Sequence, residues 1–442
     1  MKRFVMASFQ GFKQSTTMKE HRVVITGMGV VAPNANNLTD FEESIRHGIS
    51  GIRFQPDMEQ LSFSCCIAGK PELNEELIAR YFDALELRNF NNNSILYGVI
   101  AGMQAWQDAG LSVNTSEEPD WDSGVIFGNG SSGVDKFRES IYKIDKGETR
   151  KLGSTAVVQI MVSGISAFLA GKLGLGNQVT TNSSACTTGT ESLLMCYERI
   201  KHGQAKRMLA GSTSDSGPYI WAGFDAMKVC SFKHNNTPEK GSRPMSASAS
   251  GFVPGSGAGA LVIESLEEAK KRGATIYAEI LGGHINSGGQ KNGGSMTAPN
   301  SMAIQRCITS AMRDASIEGK DIDVINGHLT ATSKDALEIQ NWSEALQRKG
   351  IDFPYVNALK SHIGHCLSAS GSIECIAAVL QIRHGFLFPN LNCEDIHPEI
   401  EAMIDTYRIP TQLKEQSINI IAKASFGFGD VNACIIFKKY NN

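Results

Sequence analysis

Three short segments carry side chains that can work together in nucleophilic chemistry. Cys186 stands in the run Asn182-Ser-Ser-Ala-Cys-Thr-Thr-Gly189, where strand-like sequence turns into a helix. His328 stands in Val324-Ile-Asn-Gly-His-Leu-Thr-Ala-Thr332, and Lys360 and His365 in Leu359-Lys-Ser-His-Ile-Gly-His365. A cysteine at a helix N-terminus feels the positive end of the helix dipole, which favours thiolate over thiol, and the thiolate is the nucleophile. Most free cysteines are merely small buried residues, and a lone loop histidine is usually structural. What sets Cys186 apart from the other nine cysteines is this company. His362 and His365 have the i, i+3 spacing of a metal pair, but no carboxylate or cysteine cluster accompanies them, so no metal site is expected.

The elements around these residues follow from the apolar pattern. Residues 178–181 form a short β-branched stretch before Cys186. After it, Leu193, Leu194, Tyr197 and Ile200 recur at helical spacing until Gly203. The pattern predicts strands over 22–26 and 124–127. It predicts helices over 41–47 and over 95–109, the second closed by Gly110. This alternation points to a layered α/β fold. An internal repeat is also visible. Gly189-Thr-Glu-Ser-Leu-Leu-Met-Cys-Tyr-Glu-Arg-Ile-Lys-His-Gly203 matches Gly371-Ser-Ile-Glu-Cys-Ile-Ala-Ala-Val-Leu-Gln-Ile-Arg-His-Gly385 in length and in its basic-His-Gly end. Helix ends favour such residues, but each copy also follows a candidate catalytic residue, Cys186 or His365. Two halves packed with these helices touching would bring the candidates together. The predicted division is an extension over 1–20, a cysteine-bearing half over 21–270 and a His/Lys-bearing half over 271–442, with the boundary near 269–275.

The bulk numbers exclude several classes. The 442 residues suffice for two or three domains or one duplicated unit. A net charge of −3 gives no case for nucleic acid or a membrane surface, and no apolar run reaches the length of a membrane span. Ten cysteines without a Cys-x-x-Cys pair argue against disulfides and zinc knuckles and for a reducing, cytoplasmic compartment. The first seventeen residues lack the apolar core of a signal peptide; Met18 is expected to lie nearer the true start, or the leader is a frayed extension.

Three glycine loops imitate a dinucleotide fingerprint: Gly27-Met-Gly29-Val-Val-Ala32, Gly128-Asn-Gly-Ser-Ser-Gly133 and Gly255-Ser-Gly-Ala-Gly259. Pro33 and Asn34 break the helix that should follow the first. Three such loops cannot all hold a cofactor, so they read as tight strand-to-helix turns, and a dehydrogenase is set aside.

The ordered set of Cys186, the His328 segment, Lys360–His365 and Ser425-Phe-Gly-Phe-Gly-Asp430 resembles the β-ketoacyl-acyl-carrier-protein synthases, condensing enzymes of the thiolase-like superfamily, and most closely their type II elongating branch. Ser242-Arg-Pro244, Gly251-Phe-Val253, Gly257-Ala-Gly259 and the closing Ile435-Ile-Phe-Lys438 extend the likeness over nearly the whole chain. The resemblance implies a thiolase-like fold, two duplicated α/β halves forming an α-β-α-β-α layered architecture. It implies an acyltransferase. Cys186 takes an acyl group from a carrier protein's phosphopantetheine thioester, malonyl-carrier loses CO2, and the resulting carbanion attacks the acyl-Cys186. His328 and His365 become the donors to the enolate, and the amides of Cys186 and Phe426 the oxyanion hole. Lys360 becomes the active-site lysine and Glu374 its carboxylate partner. Thr330 and Thr332 hold the pantetheine arm. Glu338 falls near a family carboxylate involved in structural ion binding, in a loop one residue shorter here. Phe426 and Phe428 lie in the gating loop, and Ser131 at the gate of the acyl pocket. No cofactor is implied beyond the arm that the carrier brings.

The chain also departs from the family pattern. Leu329 and Asp430 replace usual glycines; Ser246, Ala249 and Ser250 replace usual Asp, Arg and Asp, with loss of a salt-bridged loop; Ser131 replaces a bulky aliphatic. None removes a catalytic group. A polar gate suits a polyene or aryl-primed chain. Acyl carrier proteins are acidic, so a basic docking patch is expected, with Arg150, Lys151, Lys228 and Lys233 as candidates. The expected assembly is a homodimer, with a heterodimer open. The rivals are a chain-length-factor-like subunit, which typically lacks the cysteine, and a thiolase using Cys434 as its second cysteine.

Overall fold

The computed structural model describes residues 20–441. The expected extension, apart from Glu20, and the choice of start lie outside the described residues.

Ten strands form one sheet: β1 Val23–Val31, β2 Ser123–Asn129, β3 Val179–Thr180, β4 Arg207–Ser214, β5 Gly257–Ser265, β6 Ala278–Ser287, β7 Val324–Asn326, β8 Tyr355–Asn357, β9 Ile420–Gly427 and β10 Val431–Lys439. Their spatial order is β8-β7-β9-β10-β6-β1-β5-β4-β2-β3. Each half has the same topology. β1 pairs antiparallel with β5, and β5 with β4, while β4–β2 and β2–β3 are parallel. In the other half β6, β10, β9, β7 and β8 repeat this pattern. The halves join where β1 meets β6, at Val23↔Ile280 to Ile25↔Ala278. The chain crosses between them through the short helix Leu266–Lys271, capped by Ser265.

Five helices matter for the site: α1 Asn93–Asp108, α2 Thr188–Lys201, α3 Ser301–Asp314, α4 Asp335–Leu346 and α5 Ser370–His384. One core joins α1 to the outer face of the first half-sheet through Val99, Trp106, Val125 and Val262. Another joins α3 and α4 to the second through Ile308, Trp342, Ile325 and Ile436. The third, between them, takes residues of α2 and α5 and of both half-sheets. The result is the α-β-α-β-α layering. Residues 370–382 of α5 are all buried, as expected of a helix enclosed on every side.

The strand predicted over 22–26 runs on to Val31, straight through Gly27 and Gly29. These glycines are therefore not in a turn. A Cβ at Gly29 would lie 2.1 Å from Ala101 O, so their bareness lets α1 lie directly on the strand. Gly128, Gly257 and Gly259 likewise lie in strands rather than turns. The predicted helices start earlier, at Leu38 and Asn93, because Asn37 and Asn92 accept from Asp40 N and Ile95 N and cap them. The repeat segments are α2 and α5, and they meet at their glycines. A Cβ at Gly189 would lie 2.4 Å from Ser372 N, and one at Gly371 2.5 Å from Thr190 N. Among the described residues no helix is long and apolar enough to cross a membrane.

Candidate active site

Cys186 sits in a single 3-10 turn, Ala185–Thr187, that feeds directly into α2. Ala185 has φ +49°, a left-handed conformation that costs energy in a residue other than glycine. Local hydroxyls hold the turn: Thr187 Oγ1 donates to Ser184 O at 2.7 Å, Thr188 Oγ1 donates to Ala185 O at 2.7 Å, and Ser184 N donates to Thr188 Oγ1 at 2.9 Å. The backbone amides of Phe428 and of Cys186 itself act on the sulfur and pull its pKa down. The second amide is thus Phe428's and not Phe426's: Phe426 is paired with Asn432 inside the β9–β10 ladder, whereas Phe428 lies in the turn just beyond the end of β9. The ring of Phe426 instead packs edge-on against His328, with centroids 6.2 Å apart. Burial pushes the Cys186 thiol up to about 11, outweighing the Lys360 charge and the two amides that pull it down. The resting form is therefore the thiol, contrary to the thiolate expected from the helix position.

His328 follows β7, and His365 follows the short helix Lys360–Ile363 beyond β8. The Cys186 sulfur and one nitrogen of each ring lie within 4.8 Å of one another. Leu367 N donates to His365 Nδ1 at 3.1 Å, so that nitrogen is an acceptor and Nε2 carries the proton. The Lys360 ammonium lies 3.5 Å from His328 Nδ1 and assigns the same tautomer there. Burial, reinforced by the Lys360 charge, holds both imidazoles well below their ordinary pKa. The site thus offers two neutral N–H donors beside a thiol. His362 does not join them; it is fully buried against Phe388 and Ser361.

Two carboxylates of α4 shape the His328 loop. Glu338 accepts from His328 N at 2.7 Å and Leu329 N at 2.8 Å, using both oxygens. Asp335 accepts from Thr330 N at 2.9 Å, Ala331 N at 3.1 Å and Met245 N at 2.9 Å. These bonds hold Leu329 at φ +23° and Ala331 at φ +60°, left-handed conformations that only glycine adopts without strain. Burial raises the Glu338 carboxyl to about 7. Behind the histidines, Lys360 pairs with Glu374 Oε1, and Lys423 lies 2.7 Å from Glu374 Oε2; all three are buried. Sequence reading missed Asp335 and Lys423. Lys423 does leave a signal: it is a lone charge inside the apolar stretch Ile420-Ile-Ala-Lys-Ala424.

A cavity of about 260 Å³ opens onto Cys186, His328 and His365, and Thr330, Thr332, Phe426 and Phe428 also line it. An aromatic row, Phe428–Phe224–Phe252–His365, borders it, with centroid separations of 6.3, 5.5 and 5.2 Å. Thr297, Ala298 and Pro299 form another stretch of wall, in a loop folded around Asp430. The Asp430 carboxylate accepts from Asn300 N at 2.9 Å and Gln290 N at 3.0 Å, and its carbonyl from Gly288 N at 2.9 Å. Ser131 is not on this cavity. Lys228 is exposed directly before Val229, a lining residue, and Lys233 is exposed four residues after it; exposed Arg150 and Lys151 lie in a separate one-turn helix, where Lys151 pairs with Glu148 at 2.7 Å. Cys434 is buried in the core of the second half and does not reach the site. The Ser246–Ser250 loop keeps ionic anchoring after all: Arg243 bonds Glu394 at 2.9 Å and Asp395 at 3.0 Å, and Asp395 also accepts from Ser248 N at 2.9 Å.

The sulfur and two nitrogens also satisfy the distances of a metal cluster. The surrounding charge opposes that use. Lys360 and Lys423 share one carboxylate, so the wall behind the histidines is net positive, and a divalent cation would be repelled.

Residues 20–269 match the family model described as beta-ketoacyl synthase, N-terminal domain, and residues 277–394 match its C-terminal domain. The chain is 33% identical over 436 residues to the chloroplastic 3-oxoacyl-[acyl-carrier-protein] synthase I of Arabidopsis thaliana, covering 97% of this chain and 88% of that one. Among solved structures it resembles a type II polyketide synthase acyl-carrier protein in complex with its ketosynthase bound to the hexaketide, with TM-score 0.84, 27% identity, and 95% and 100% of the two chains covered. It also resembles the ishigamide ketosynthase/chain length factor, with TM-score 0.84, 26% identity, and coverage of 96% and 100%.

Proposed function

The chain belongs to the β-ketoacyl synthase family, and from that premise we propose that it is a 3-oxoacyl-[acyl-carrier-protein] synthase, an acyltransferase that lengthens an acyl chain by decarboxylative condensation on Cys186. The observation that carries this reading is the thiol flanked by two neutral N–H donors within 4.8 Å.

In the first half-reaction the Cys186 sulfur attacks the carrier-bound thioester. The amides of Cys186 and Phe428 hold the tetrahedral oxyanion, and the carrier's thiol leaves with the proton that Cys186 loses. In the second, the malonyl thioester loses CO2. Its C–C electron pair becomes an enolate whose oxygen takes the N–H groups of His328 and His365. The carbanion attacks the acyl-Cys186 carbonyl, the same two amides stabilise the new oxyanion, and its collapse expels the Cys186 sulfur, which regains a proton from water. The net positive Lys360–Glu374–Lys423 wall favours each anionic stage. No cofactor enters these steps, since loss of CO2 supplies the driving force. Thr330 and Thr332, with hydroxyls 3.0 Å apart on the cavity wall, hold the pantetheine arm, and Phe426 and Phe428 shape its inner end.

The carrier protein is the macromolecular partner in this reading, with Lys228 and Lys233 beside the cavity and Arg150 and Lys151 as further docking cations. The assembly is a homodimer, favoured by exposed apolar side chains such as Val157 and Val179 on the first half. A cytoplasmic location suits ten free cysteines. Both a fatty-acid chain and a polyene or polyketide-like chain are substrates in this reading, and Ser131, which does not line the cavity, does not choose between them. A chain-length-factor-like role is disfavoured by the complete Cys186, His328, Lys360 and His365 set. Mixing the enzyme with acyl- and malonyl-carrier tests the proposal. A β-ketoacyl-carrier product with equimolar CO2 is expected, and its absence for every primer overturns the reading.

A further inference from the structure

A second lysine lies behind the first. Lys423 on β9 is fully buried, and its Nζ lies 2.7 Å from Glu374 Oε2 and donates to Ala424 O and Ser425 Oγ at 2.6 Å each. Glu374 spends its other oxygen on Lys360, which in turn lies 3.5 Å from His328 Nδ1. One carboxylate cannot neutralise two ammonium groups, and an uncompensated charge inside a protein is costly to keep.

The duplicated fold provides an internal control. Ser212 and Ser425 occupy equivalent places: Ser212 Oγ lies 2.6 Å from Ser372 Oγ on α5, and Ser425 Oγ 2.9 Å from Thr190 Oγ1 on α2. Counting back two residues from each, the equivalent of Lys423 is Ala210, also fully buried. The fold is therefore built at this strand position without a lysine. The lysine occurs only in the half-sheet that backs the histidines.

We propose that Lys423 is a positioning residue for the condensation: it occupies half of Glu374, leaves the Lys360 charge under-compensated, and so keeps His328 and His365 as neutral Nε2–H donors. This rests on the reading given above. The groups facing the two histidines are Lys360, Lys423 behind Glu374, Cys186, and each other. Glu338 reaches the His328 segment but spends both oxygens on backbone amides. For His365 burial is the largest cause of its lowered pKa, followed by Lys360 and then Lys423; for His328 the His365 charge ranks between the lysines. Removing one positive charge must raise both histidines, so the sign is fixed.

The test compares wild type with Lys423→Gln, which keeps a polar side chain but drops the charge, and Lys423→Arg, which keeps the charge. Lys423→Ala, copying Ala210, serves if the Gln variant does not fold. Imidazole nitrogens of 15N-histidine-labelled protein are titrated by NMR from pH 8 to pH 4, and CO2 release from malonyl-carrier is followed over the same range. The expected result is that the midpoints of His328 and His365 rise by about one pH unit in the neutral variants. The acid limb of decarboxylation then moves the same way, a loss of about tenfold on that limb, and Arg restores both. Unchanged midpoints, or a loss equal at every pH that merely tracks thermal stability, would overturn the proposal. If wild type releases no CO2 the condensing reading fails, while the NMR titration still decides the role of Lys423.

Discussion

Two turns of the same shape open the two central helices. In the first, Ala185 at φ +49° precedes Cys186, three residues before Gly189; in the second, Leu367 at φ +50° precedes Ser368, three residues before Gly371. Backbone strain and helix dipole are therefore shared. What differs is what the opposite half brings. The first turn receives His328 and the amide of Phe428 from the second half and opens onto a cavity. The second turn is filled. Ser368 is buried, its Oγ donates to Thr213 O at 2.7 Å, and a Cβ on Gly130 would lie 3.3 Å from it. The comparison teaches that reactivity does not reside in the turn. It resides in the loops that the other half lays against it.

The largest break in this comparison is expected from His365→Ala and His328→Ala. Each removes one enolate donor, and malonyl-carrier decarboxylation should fall by about 10² to 10³ while acyl transfer to Cys186 persists. Equal loss of both half-reactions would show that the two histidines are not specialised. A second effect concerns the thiol. Because burial holds Cys186 up to about 11, its thiolate fraction grows about tenfold per pH unit below that value. Alkylation by iodoacetamide should thus rise without a plateau from pH 7 to pH 9. A plateau below pH 8 would mean that the shared helix dipole governs the thiol after all.

Smaller effects sharpen the account of the loops. Glu338→Ala should leave the amides of His328 and Leu329 unpaired, costing about 1–3 kcal/mol of stability in chemical denaturation and lowering turnover further than that loss explains. Lys228→Glu with Lys233→Glu should raise the carrier KM several-fold and leave turnover of a small thioester alone; an unchanged KM would remove them from the docking surface. The smallest effect is Ser368→Ala, with about 1 kcal/mol lost and condensation unchanged within about twofold.

Much of the site was legible in the sequence because catalytic residue types keep distinctive neighbours. Cys186 before a glycine-started helix and the Lys360–His365 run need no tertiary knowledge to be singled out. The duplicated helices were legible for a related reason: α2 and α5 face each other and bear similar packing constraints. What escaped depends on contacts distant in sequence. Gly27 and Gly29 imitate a turn until α1 is seen lying on them. That the amide of Phe428, rather than that of Phe426, serves the sulfur follows from where β9 leaves its ladder with β10, which only the folded pairing reveals. Lys423 acquires meaning only when Glu374, forty-nine residues earlier, is folded against it. The thiol's raised pKa could not be read from a helix start, since burial is a property of the whole assembly.

The most direct test of the central claim is intact-protein mass spectrometry after mixing wild type, Cys186→Ala and Ser368→Ala with a panel of acyl-carrier thioesters. The account predicts a single acyl adduct on wild type and on Ser368→Ala, absent from Cys186→Ala, with the panel ranking the primers. An adduct that survives in Cys186→Ala, or none on wild type with any primer, would contradict it.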